Sequence, residues 1–208
     1  MVEPRVFSAE EHAQLAREIG DAEAGTAGEI YVVIAQSPDD FRLVPVLWAA
    51  IFALLLGWML HFATDFPVTL ILSLQVLGFV GVAAILSIAS LRYRVVPPSL
   101  AADAAHRAAL AQFMAHGVHL TSARTGVLIY VCMIPRRIEV VADTGIHATI
   151  NPQIWQKSVA EIAAGARSGR LSEGLVVAIR IVGAVLAQHC PRKPEDRDEL
   201  PNRIVETR

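Results

Sequence analysis

The sequence predicts an α/β protein, a three-layer α/β/α sandwich around a small mixed sheet, with a transmembrane helical hairpin inserted into it. Three observations carry this. The 208 residues are 54% hydrophobic and only 18% charged, against about 25% charged in an ordinary globular domain. The shortage is local, because residues 42–94 hold Arg42, Asp65, Arg92 and Arg94 as their only charges. Outside that block, short β-branched runs lie between segments with helical period, the pattern of strands buried on both faces and covered by helices. A net charge of −2 offers no electrostatic footprint for nucleic acid, which is therefore not an expected partner.

The hairpin comes from Val44–Phe62, an uncharged run with His61 at its edge, and Val68–Leu91, interrupted only by small polar residues and Gln75. At 1.5 Å per residue the first run spans about 28 Å, matching a hydrocarbon core of about 30 Å. The link Ala63-Thr64-Asp65-Phe66-Pro67 is short enough to join only antiparallel neighbours. Gly57, Gly78 and Gly81 would let the two helices pack closely, and Gln75 is expected to hydrogen-bond between them, with His61 at the interface. Arg42 precedes the first run, Arg92 and Arg94 follow the second, and the link carries only Asp65. Positive flanks prefer the cytoplasm, so both hairpin ends should lie inside a bacterial inner membrane. The first residues contain no apolar stretch of the kind a signal peptide needs.

Ser8-Ala9-Glu10-Glu11 is a capping box opening a helix to about Ala24, with Leu15, Ile19 and Ala22 on one face. Glu29–Ala35 reads as a fully buried strand, and Ser37-Pro38-Asp39-Asp40 breaks the chain after it. After the hairpin, Ser99 caps an Ala-rich helix to about His116, with Leu110, Phe113 and Met114 to bury. Val127–Ile134 is a second buried strand. Pro135-Arg136 turns it into Arg137–Asp143, where Ile138, Val140 and Ala142 share one face. Asn151-Pro152 starts a helix carrying Trp155, Val159, Ile162 and Ala166. Ser172 opens another, with Leu175, Ile179, Val182 and Leu186 facing the core and Arg180 arguing for burial in protein, not lipid. The strand–helix–strand order implies parallel pairing of the first two strands, and the third returns antiparallel. The divisions are residues 1–41 and 95–190 for the two parts of the domain, 42–94 for the hairpin, and 191–208 for a mixed-charge tail, mobile or strapped to the surface.

No phosphate-cradling glycine loop, hydrolase elbow or paired Cys-x-x-Cys occurs. Cys132 and Cys190 read as free thiols, one in the core. His106, His116 and His119 lack a completing carboxylate for a metal. The polar residues that flank the strands are more informative. Glu29 opens the first strand, Arg124-Thr125-Gly126 the second, and Asp143-Thr144-Gly145 closes the third, so all lie at one end of the sheet. Glu29, Asp143 and Arg124 could there hold a divalent cation or a phosphoryl group. The alternative is a solvated rim in which Asp143 ties its own turn and Arg124 pairs with it. Arg136 and Arg137 fall at the other end, where the first strand leads toward the hairpin. With Arg92 and Arg94 they form a membrane-facing set, each worth about 1 kcal/mol beside an anionic leaflet.

The stretch Arg124-Thr-Gly-Val-Leu-Ile-Tyr-Val, followed by Arg137-Ile-Glu-Val-Val-Ala-Asp-Thr-Gly-Ile-His147, resembles the TPM domain family. The helix around Trp155, Gly174-Leu175 and Asp198-Glu-Leu-Pro201 extend the likeness to a membrane-anchored bacterial branch, over about residues 8–36 and 99–190. The resemblance implies an α/β/α sandwich. A chloroplast relative involved in photosystem repair is similar to acid phosphatases and binds a cation, which implies such an activity and such a cofactor. Typical bacterial members carry a signal peptide and a C-terminal anchor, whereas here the spans sit inside the domain. Where the family has an acidic turn between the hairpin strands, this chain has Pro135-Arg136-Arg137, so only Asp143 is carried over as a metal-ligand candidate. The expected function is a membrane protein with a cytoplasmic domain that binds or regulates a protein partner in the cell envelope. Its partners would be the bilayer, that protein, and a second copy of the chain in a homo-oligomer. The alternative is a metal-dependent phosphatase acting on phosphomonoesters through Glu29, Arg124 and Asp143. Two nearly apolar spans give a transport role no polar path.

Overall fold

A computed structural model describes residues 6–37, 41–147, 152–192 and 199–207. In chain order the elements are α1 (Ala9–Glu23), β1 (Glu29–Ala35), α2 (Leu43–Ala63), α3 (Val68–Leu86), α4 (Ala89–Arg92), α5 (Pro98–Ala115), β2 (Gly126–Cys132), β3 (Arg137–Ala142), α6 (Thr144–His147), α7 (Pro152–Arg167), α8 (Leu171–His189) and β4 (Ile204–Thr207), with a 3-10 turn at Val118–Leu120. The chain divides into two compact units, Met1–Pro38 with Asp103–Arg208, and Asp39–Ala102.

The first unit is built on a small mixed four-stranded sheet of order β3-β2-β1-β4. As expected, β1 pairs parallel with β2, Glu29 opposite Gly126 and Ala35 opposite Cys132, and β3 returns antiparallel with Cys132 opposite Arg137. Every residue of β1 and β2 is buried. Ile30, Val32 and Ile34, with Val127, Ile129 and Val131, join the core formed with α1, α7 and α8. Tyr31, Val33 and Ala35, with Leu128, Tyr130 and Cys132, meet Ala109, Phe113 and Val118 on the opposite face. Two buried faces explain why these strands show no alternation. On β3, Ile138, Val140 and Ala142 pack on the first core, the face predicted from their period.

The helix ends follow local chemistry. Ser8 Oγ accepts from Glu11 N at 3.2 Å and the Glu11 carboxylate accepts from Ser8 N at 2.9 Å, closing the capping box of α1. Between α1 and α8, Arg180 donates to both oxygens of Glu18 at 2.8 and 2.6 Å. Among the described residues three helices are long and apolar enough to cross a membrane, α2, α3 and α8. In α8, however, Leu175, Ile179, Val182 and Leu186 are wholly buried in the sheet's core.

In the second unit, α2 and α3 have the same mean hydropathy of 2.3 over their apolar windows and expose most of their side chains. A Cβ at Gly57 would lie 2.8 Å from the Gln75 amide oxygen, and one at Gly78 would lie 2.9 Å from Leu56. These two glycines therefore mark the close approach, and Gln75 reaches across to the other helix. Gly81 faces open space. Trp48 donates to the Val95 carbonyl at 3.0 Å, and Trp58 stacks on Phe62.

Three expectations are corrected. The second apolar run does not stay helical to Leu91; α3 ends at Leu86, and Ile88 in extended backbone starts the separate turn of α4. Leu110 and Met114 are exposed, at 41% and 57%. Of the expected residues Phe113 does face the sheet, joined there by Ala109, whose small side chain lets the helix lie close. The tail contains a strand, since Ile204–Thr207 pairs parallel with β1 from Val32 to Ala35 and buries Ile204. Its four-residue length and the mixed charge around it hide this strand, although Ile204 packs on one core and Val205 on the other. The break at residues 38–40 and the proposed cap at Asn151 lie outside the described residues.

Joining residues 6–37 to 103–207 through a flexible linker is expected to give a soluble unit with one cooperative melt. Ending the same chain at residue 190 strips the β1 edge and should lower the melting temperature, read by circular dichroism.

Candidate functional site

The strand register brings Glu29, Arg124 and Asp143 to one end of the sheet, as their positions predicted. Glu29 and Gly126 are paired across β1 and β2, and Ala142 ends β3 opposite Val127. The connection is tied by backbone: Asp143 N donates to the Gly126 carbonyl at 2.9 Å, and Gly145 N donates to the Arg124 carbonyl at 3.1 Å. Arg124 itself holds a left-handed φ of 55°. Thr125 donates its hydroxyl to the Ala27 carbonyl at 2.7 Å and its amide to Thr121 Oγ1 at 3.0 Å. At Gly126 a Cβ would fall 2.2 Å from the Val118 carbonyl oxygen, so the start of β2 has room for no side chain.

The acidic groups here are buried, not a solvated rim: Glu29 and Asp143 are each 6% exposed. Asp143 Oδ1 accepts from Thr144 N at 2.6 Å and from Thr144 Oγ1 at 3.2 Å. Its Oδ2 faces Arg124 Nη1 at 3.9 Å and accepts no hydrogen bond. Glu29 Oε1 accepts from Glu199 N at 3.2 Å. The Glu199 carboxylate in turn accepts from Ser122 N at 2.9 Å and from Ser122 Oγ. The tail is therefore latched onto this end of the sheet by Glu199 before it enters β4. Neither Ser122 nor Glu199 was picked out as a site residue. Glu199 lies within the Asp198-Glu-Leu-Pro201 segment, and only the fold places that segment against Glu29.

Among the described residues no group of three His, Cys, Asp or Glu side chains is placed to hold a metal ion. The three histidines take different partners. His106 Nδ1 lies 3.4 Å from Glu139. His116 contacts the Tyr31 hydroxyl at 3.2 Å and Gln112 Oε1 at 3.0 Å, and His119 packs against the Phe113 ring. Burial pushes the His116 pKa below the ordinary imidazole value, and the nearby positive charge of Arg203 adds to this. Both cysteines are free, and Cys132 is buried. Burial raises its thiol to about 11, so it is protonated at neutral pH and a poor nucleophile. Arg136 and Arg137 occupy the turn and first position of β3, at the opposite end of the sheet from Glu29 and Asp143. Arg94 is exposed, and Arg92 lies over the Tyr93 ring at 5.2 Å.

No family profile and no curated protein matches the sequence. Among solved structures, the NMR structure of BA42 protein from the psychrophilic bacterium Bizionia argentinensis is similar. The TM-score is 0.61 and the identity 21%, over 99% of this chain and 98% of that one. At that identity the likeness is one of fold.

Two outcomes follow from this geometry. Gly126→Ala should cost about 3 kcal/mol in denaturant unfolding, the upper end for overpacking, because the obstructing atom is backbone. A lowered His116 pKa means the unfolded chain binds the proton more readily, so stability is complete above the ordinary histidine range and falls as pH drops through and below about 6.5. Melting temperature against pH between about 5 and 8 should show that decline, and His116→Gln should flatten it.

Proposed function

We propose that the chain is an integral protein of a bacterial inner membrane, anchored by α2 and α3. Its sheet-bearing unit would be a cytoplasmic, TPM-like three-layer α/β/α domain that acts by binding a protein partner in the cell envelope. Anchoring is supported by two apolar helices of 21 and 19 residues whose flanks carry Arg42, Arg92 and Arg94 and whose link carries Asp65. The arginine asymmetry is the argument for an inward-facing domain.

One observation carries the binding role: the carboxylates at the candidate site are engaged by the chain's own groups. Glu29 accepts from the Glu199 amide, Glu199 from Ser122, and Asp143 from Thr144. That arrangement holds the tail in place and favours a surface whose shape depends on the latch. A partner that competes for Glu199 would release the tail from this end of the sheet. The phosphatase reading keeps one specific support, the buried Asp143 Oδ2 that accepts no hydrogen bond and could ligate a divalent cation beside Arg124.

Assays of phosphomonoester hydrolysis with Mg²⁺, Mn²⁺ and Ca²⁺ separate the two roles. The binding role expects no turnover that Asp143→Ala removes, and metal-dependent turnover lost in that variant would establish the enzyme instead. For topology, a cysteine placed at Thr64 should react with an impermeant thiol reagent added to intact spheroplasts, while Cys190 stays unlabelled; the reverse pattern would place the domain outside. The positive turn should add to membrane attachment. Arg136→Glu with Arg137→Glu is expected to weaken salt-sensitive binding of the isolated sheet-bearing unit to anionic vesicles, by about 1 kcal/mol per arginine removed.

A further inference from the structure

Gln75 is the eighth residue of α3, about 10 Å along the helix at 1.5 Å per residue. Its amide is laid over Gly57 of α2, where a Cβ would fall 2.8 Å from Oε1 and 3.1 Å from Nε2. The hydrogen bond expected here between the two helices does not form. Among the described residues the Gln75 side chain has no hydrogen-bond partner, and Gly57 presents only backbone that is engaged in its own helix. Ser73 shows the contrast. Its hydroxyl donates to the Thr69 carbonyl at 2.8 Å and so is satisfied within α3.

The amide lies in a groove of about 240 Å³ on the hairpin, which Leu54, Trp58, His61 and Ile71 also line. The surface around it is apolar, with Leu54, Trp58, Leu72 and Val76 each more than half exposed. In water such an amide would simply be solvated. In a hydrocarbon layer a polar group without a partner is costly, and glutamines in spans bond to a neighbouring helix. Lipid head groups lie outside the hydrocarbon core. The partner must therefore be a polar group that itself sits at the depth of Gln75.

A primary amide is its own complement. It carries two N–H donors and a carbonyl acceptor, so two Gln75 side chains related by a two-fold axis can exchange a pair of N–H···O bonds. A two-fold along the membrane normal keeps both chains in one topology and sets Gln75 at the same depth in each, as an isologous contact requires. Gly57 beside it has no side chain to hold a second hairpin away. We infer that the chain forms a homodimer within the membrane through the groove around Gln75, the two Gln75 amides hydrogen-bonded to each other. The inference rests on the anchoring by α2 and α3 proposed above and not on the binding role of the sheet-bearing unit.

The test uses the full chain. Membranes holding it are washed with alkaline carbonate. The retained chain is then taken into a detergent of matched density for sedimentation equilibrium at several protein-to-detergent ratios. A reversible dimer is expected. Gln75→Leu should weaken it about tenfold through loss of the paired bonds, with helix content by circular dichroism unchanged. Gln75→Asn keeps the amide and should hold the dimer within about threefold of wild type. Leu77→Ala changes an exposed residue turned about 200° from Gln75 around α3, and should leave the dimer as it is. A chain that is retained but monomeric would overturn the inference alone. So would a dimer that Gln75→Leu leaves at wild-type strength, or that Leu77→Ala weakens as much. Release into the wash would overturn the anchoring, and the dimer with it.

Discussion

The sheet-bearing unit depends on the complete burial of β1. That strand is paired on both edges, with β2 and β4, and covered on both faces, by α1 and α8 on one side and by Phe113 and Val118 on the other. Burial on this scale is worth about 1.5 to 3 kcal/mol for each large apolar side chain, and β1 contributes Ile30, Val32, Val33 and Ile34. Each of its backbone groups must then find a partner, since an unpaired polar group in the interior is costly. That requirement explains the bonds at its ends. Ile30 N donates to the buried Glu23 carboxylate at 2.6 Å, Glu29 N donates to the Thr125 carbonyl at 3.2 Å, and Gln36 N donates to the Thr207 carbonyl at 3.1 Å.

The tail and the candidate site follow from the same constraint. A parallel strand beside β1 must begin near the Glu29 end, and α8 ends there, where Ala27 N donates to the Cys190 carbonyl at 2.9 Å. Glu199 lies at the same end, donating its amide to Glu29 and accepting from Ser122. The acidic end of the sheet is thus where the last strand is delivered, and the hydrogen bonds there serve assembly as well as any ligand. The other end carries the opposite charge. There the β2–β3 turn brings Arg136 and Arg137 to a cavity that Arg167 also lines. Opposite polarity at the two ends of one small sheet gives the unit two chemically distinct surfaces.

Much of this was legible in the residues. The capping box at Ser8 and Glu11, the two uniformly apolar strands, the alternation in β3 and the two uncharged runs of the hairpin are local signals set by hydrogen-bond chemistry and by the period of side-chain burial. They determined the element types, the mixed sheet and a hairpin of two helices long and apolar enough to cross a membrane. They also placed Glu29, Arg124 and Asp143 at a common end, because strand direction alone decides which termini coincide. What tertiary structure alone decided is everything that needs a distant partner. Residues 204–207 are a strand only because β1 offers a free edge, Ala109 faces the sheet in place of Leu110 because α5 lies close, and Glu199 meets Glu29 across 170 positions. The arginine cavity belongs to the same class, since charge and apolar wall converge there from segments whose separation in sequence carries no information about their meeting in space.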